Sequence, residues 1–161
     1  MAYQRLQVSE GLAVIPSDTV PIPDPATEVI SGTADFSVAG TLTDVLTTFL
    51  SAGIQTNAIV YNVTAGIAYY ITAVTDNLNL ALSPSSAGGA ADEYVIYNAA
   101  TKACTLYVGV AGGIIVQMAS QRDAANTDTV TFENVPSSSF LPILVTRVAQ
   151  ATVASKIIAL W

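Results

Sequence analysis

The stretch from Asp128 to Val148 constrains the fold of this chain more than any other. In Asp128-Thr129-Val130-Thr131-Phe132-Glu133, Val130 and Phe132 fall on one face and Thr129, Thr131 and Glu133 on the other, the two-residue period of a half-buried strand. A turn at Pro136-Ser137-Ser138-Ser139 follows, and Leu141, Ile143 and Val145 then share a face of a second strand. Ile157-Ile158-Ala159-Leu160-Trp161 carries the only tryptophan as its last residue. An apolar aromatic there predicts a docked end, since frayed ends are normally polar. These features predict a β-rich building block and no catalyst.

Composition sharpens that reading. Of the 161 residues 52% are apolar and only 11% charged, against roughly 25% charged in an ordinary soluble domain. So sparse a charge suits a surface largely covered by neighbours, and association is expected. Twelve acids against five bases give a net charge of −7. Nucleic-acid binding needs clustered Lys and Arg to displace counterions, so nucleic acid is excluded as a partner, and an anionic membrane with it. The longest apolar run, near Val108 to Ala119, is too short to span a bilayer. The N-terminal residues lack the order of a signal peptide, which predicts a chain made in a cytoplasm.

The bases are unevenly placed. Arg5, Lys102, Arg122, Arg147 and Lys156 flank residues 33–98, which hold Asp35, Asp44, Asp76, Asp92 and Glu93 and neither Lys nor Arg. That shift marks three parts: an N-terminal arm and first strand (1–32), an inserted acidic module (33–98) and a C-terminal portion packing with the arm (99–161). The arm carries Pro16, Pro21, Pro23 and Pro25, which exclude helix and central strand. It is either a solvated linker or a strap laid over a neighbouring subunit.

In the insert, Val45, Leu46, Phe49 and Leu50 are spaced for one or two helical turns. Five short strand signals, separated by tight turns and one Ser/Gly/Ala loop, predict a small SH3-like or OB-like barrel. After residue 102, Gly112-Gly113 reads as a hairpin turn between strands Thr105–Val110 and Ile114–Met118. The expected fold is all-β: a β-sandwich or jelly-roll-like domain with an inserted barrel.

Chemistry-bearing groups are few. Cys104 is the only cysteine, so an intrachain disulfide is impossible; with no histidine to activate it, the thiol reads as buried and structural. Asp92 and Glu93 are adjacent, so on a strand they face opposite sides. Asp123, Asn126 and Asp128 around one loop are oxygen donors of the kind calcium takes, though solvated loop acids are the default. Asn62-Val63-Thr64 matches a glycosylation sequon by chance. No enzyme, cofactor or metal is expected.

The residues carry a resemblance. Leu106-Tyr107-Val108-Gly109, Gly112-Gly113, Asp128 to Pro136, Leu141-Pro142-Ile143, Arg147-Val148 and Ile157 to Trp161 form an ordered series. It resembles small structural proteins of tailed phages and gene transfer agents, notably the head-spike base type. Ala13 to Thr19 looks like the matching arm. The insert, through Ile59-Val60-Tyr61-Asn62, Ile71-Thr72-Ala73-Val74 and Leu78, Leu80 and Leu82, is similar to a β module of phage virion proteins.

The resemblance implies a virion protein on the capsid surface, made in the host cytoplasm. Its partners would be copies of itself, as trimer or pentamer, and the major capsid protein. Contact candidates are Pro16, Pro21, Pro23, Pro25, Phe132, Arg147 and Trp161, with Arg147 alternatively a strand-edge charge that blocks aggregation. A tail or baseplate adaptor is a second reading. A third is a glycan-binding module, with Tyr69, Tyr70 and Tyr94 as a stacking platform.

Overall fold

The computed structural model describes residues 8–120 and 128–161, and these form two six-stranded antiparallel sheets. The strands are β1 (Gly11–Ala13), β2 (Glu28–Ala34), β3 (Thr41–Thr43), β4 (Ile59–Asn62), β5 (Ile67–Val74) and β6 (Asn79–Ser83). After these come β7 (Asp92–Tyr97), β8 (Cys104–Val110), β9 (Gly112–Met118), β10 (Val130–Val135), β11 (Ser139–Val148) and β12 (Ser155–Leu160). One 3₁₀ turn, Pro25–Thr27, is capped by the Asp24 carboxylate, which accepts from the Ala26 amide at 3.1 Å. The all-β class expected from the sequence is the class observed.

The first sheet has the order β1-β12-β8-β11-β9-β10, and the second β2-β7-β4-β5-β6-β3. The second sheet curls. Asp35 and Thr43 exchange backbone hydrogen bonds of 2.8 and 2.9 Å, which tie the ends of the edge strands β2 and β3 together. Its interior holds Phe36, Leu42, Phe49, Val60, Tyr69, Ile71, Leu80, Tyr94 and Ile96. Ile59, Tyr61, Ala68 and Tyr97 point the other way and pack with Val20, Leu12 and Ile15. Strand β4 is therefore covered on both sides, which accounts for its unbroken apolar run. The first sheet has its own core, with Cys104, Leu106, Val108, Ile114, Val116, Val145 and Ile157.

Three local expectations are corrected. The first is the helical turn at 44–50. Asp44 accepts the Leu46 amide at 2.8 Å through Oδ1, and the amides of Asp44 and Phe49 donate to the carbonyls of Leu78 and Asn77. Those bonds use the backbone groups a helix would need, and only Phe49 of the four apolar residues is buried. The second is Gly112-Gly113. Strands β8 and β9 are not hairpin partners, because β11 lies between them, and neither glycine has positive φ. Gly112 is small for another reason: a Cβ there would stand 2.6 Å from the Ala154 nitrogen.

The third concerns the insert. It contributes six strands where five are expected. The extra strand, β2, starts at Glu28, ahead of the boundary at 33 drawn from charge, and its exposed Ser31, Gly32 and Thr33 give little alternation to read.

Candidate functional site

The proline arm is not a solvated linker. It lies on its own chain where the two sheets meet. The Ser17 amide donates to the Val148 carbonyl at 2.9 Å and that of Ile22 to the Thr146 carbonyl at 2.8 Å. On the other side Thr101 donates to Ile22 and Asp24 to Ala99, and Pro23 bridges Ala100. Val20 and Ile22 are buried, each contributing roughly 1.5–3 kcal/mol of transfer free energy. Pro23 is buried too, and Pro16, Pro21 and Pro25 are partly so. Prolines suit this path because φ is already fixed and few amides need partners.

Arg147 belongs to the same seam. It is 2% exposed, so it is not a guard on a strand edge. Its Nη1 donates to the Asp18 carbonyl and, at 3.4 Å, to that of Ser17, which holds the arm against β11. The Asp18 carboxylate in turn accepts from the Gln150 amide at 2.9 Å. A cavity of about 80 Å³ beside Arg147, lined also by Pro21, Tyr70, Thr101 and Gln117, has room for water. It falls well below the roughly 300–1,000 Å³ of a small-molecule site. Trp161 packs against the first sheet's core and donates from Nε1 to the Thr101 hydroxyl at 2.9 Å. Phe132 is half-buried against the same core.

The tyrosine platform does not form. Tyr69 and Tyr94 are fully buried inside the curled sheet, around Phe36, whose ring centroid lies 5.9 Å from Tyr69 and 6.3 Å from Tyr94. Tyr70 lies on the opposite side, toward the arm. Tyr94 donates to Asp44 Oδ2 at 2.7 Å, and burial together with that carboxylate pushes its phenol well above the ordinary range. Asp92 is likewise buried and accepts from Asn62 Nδ2 at 2.8 Å and from the Gly89 amide at 2.7 Å, while Glu93 is exposed. Asn62, the sequon asparagine, is thus an internal bracket.

Among the described residues no group of three or more His, Cys, Asp or Glu is placed to hold a metal. Asp123 and Asn126 of the suggested calcium loop lie outside the described residues, as do Arg5 and Arg122. Burial pushes the Cys104 thiol up to about 12, which suppresses the thiolate.

Several large apolar side chains face outward. Val45, Leu46 (92% exposed) and Leu50 stand on the 44–52 loop. On the first sheet, Phe140 (60%), Leu144 (55%) and Ile158 share the outer face with Tyr107, whose ring centroid is 5.2 Å from that of Phe140. Sequence reasoning misses these residues, yet a signal is there. Phe140-Leu141-Pro142-Ile143-Leu144-Val145 is apolar at odd and even positions alike, the mark of a strand covered on both faces. Comparison with protein-family models, with curated proteins and with solved structures finds no match.

Proposed function

We propose that this chain is a non-enzymatic structural subunit of a phage-type virion, a capsid decoration or spike-base protein that seats on the major capsid protein as a homo-oligomer. The observation that carries the reading is the set of large apolar side chains left in solvent on the first sheet and on the 44–52 loop of so weakly charged a chain. A free monomer keeps its exposed apolar patches small, whereas an assembly subunit spends them on neighbours. The ordered likeness to head-spike base proteins points the same way. The glycan-binding alternative loses its platform through the burial of Tyr69 and Tyr94.

Immunogold electron microscopy of particles from a producing culture tests the proposal. Regular label over the head is expected. Label confined to the tail moves the protein to the adaptor class, and unlabelled particles beside abundant free protein refute a virion role.

A further inference from the structure

We propose that the outer face of β1, β12, β8 and β11, centred on the Tyr107–Phe140 ring pair, is the surface on which a second copy of this chain docks. This rests on the structural-subunit reading and names the contact through which subunits would meet.

The register assembles the face. Ala13 pairs with Ile158, Ile158 with Tyr107 and Tyr107 with Phe140, so the four cross the sheet in one row. Pro142 and Leu144 extend it along β11, where Leu141, Ile143 and Val145 point into the core. The exposed parts of these side chains amount to on the order of 300–400 Å² of apolar surface, about half of the roughly 800 Å² per partner in a standard interface. That proportion suits the dry centre of such a contact. The ring pair is already formed, so little side-chain freedom remains to be lost on docking.

Strand β4 supplies the internal precedent. It too is apolar on both faces, and both are covered within the chain. Strand β11 has the same pattern, and from Ser139 to Leu144 one of its faces is bare.

Charge selects a second copy as the occupant. The whole chain carries −7, so two copies repel unless they meet where acids are missing. The outward positions of the four strands contain no acid, and their only charge is Lys156. Glu133, on the outer side of β10, is at the other edge of the sheet in strand order.

Sedimentation velocity of the full chain across a wide concentration range, with Phe140→Asp, Leu144→Asp and Leu46→Asp beside wild type, tests this. Wild type is expected to self-associate. Each of the first two variants should weaken association roughly 100-fold or more, while Leu46→Asp leaves it unchanged. Carbene footprinting of wild type, dilute against concentrated, gives a readout that depends on no variant's folding: protection should fall on Phe140, Leu144 and Ile158 and spare Leu46. A wild type monomeric throughout overturns the proposal, as does association indifferent to Phe140→Asp and Leu144→Asp in folded variants, or protection confined to Val45 and Leu46. None of these results bears on whether label appears on particles, so the two readings fail separately.

Discussion

Replacing Tyr94 by Phe removes one oxygen from the middle of the curled sheet and leaves the ring. The lost bond is the 2.7 Å donation to Asp44 Oδ2, and both residues are buried, so water does not readily take the hydroxyl's place. A buried hydrogen bond to a carboxylate contributes about 1.5–3 kcal/mol, and the stranded acceptor keeps its desolvation cost. Asp44 Oδ1 still receives the Leu46 amide, so the loop is loosened and not lost. We expect Tyr94→Phe to cost about 2 kcal/mol, which for a chain of this size lowers Tm by roughly 4–8 °C. Urea denaturation supplies the free energy, and a cycle with Asp44→Asn should give a coupling of about 1–2 kcal/mol. Hydrogen exchange at the Leu46 amide should quicken in the variant. A loss within about 0.5 kcal/mol of zero, with no coupling to Asp44, would show that this bond does not organise the loop and would refute the reasoning.

Arg147→Met keeps the aliphatic stem but leaves the carbonyls of Ser17 and Asp18 without that donor; it should cost about 2–4 kcal/mol and open the arm to limited proteolysis near Val20. Gly112→Ala should destabilise by about 1–3 kcal/mol because its Cβ meets backbone at 2.6 Å, while Gly113→Ala, facing the flexible Glu133 carboxylate at 3.3 Å, should cost visibly less in the same thermal melts. Stability should also fall at both ends of a pH titration followed by circular dichroism. Bonds from Ser37 to Asp35, and from Asn79 and Leu78 to Asp76, hold those carboxyls below the ordinary value of 3.8, so their contribution is present above that pH and lost as pH falls through the lowered values. Burial lifts Cys104 and Tyr97 to about 12 from 9.0 and 10.0, so that stability is full below pH 9 and lost between there and 12, and Cys104→Ala should blunt the onset.

The strands themselves are largely legible in the sequence, because Val130/Phe132 and Leu141/Ile143/Val145 obey a local period that packing then uses. Partnering is not. The glycines that open β9 look like a hairpin turn from either side, and only the return of β11 between β8 and β9, decided by residues far along the chain, overrides the local signal. Tyr69 and Tyr94 escape local reasoning for a related cause. Tyrosine suits surface and interior equally, and nothing local tells the inside of a curled sheet from its outside; for Tyr94 it is Asp44, fifty residues away, that provides the buried acceptor. The arm's destination is hidden likewise, since apart from the Arg147 side chain its partners are mostly backbone carbonyls and amides, on Thr146, Val148, Ala99 and Thr101, which leave no pattern in side chains. The bare face of β11 is written in the sequence as an excess of apolar residues with no alternation to thin it.

The paired segments Ile22–Asp24 and Ala99–Thr101 have a consequence for how such a chain is put together. The polypeptide leaves for the curled sheet at one and returns from it at the other, and the two are hydrogen-bonded side by side, about 5 Å apart as antiparallel neighbours are. The whole excursion is thus a cassette on a closed clasp. A different unit with adjacent ends could be spliced in at the same point, provided that it covers Leu12, Ile15 and Val20 as Ile59, Tyr61 and Tyr97 do.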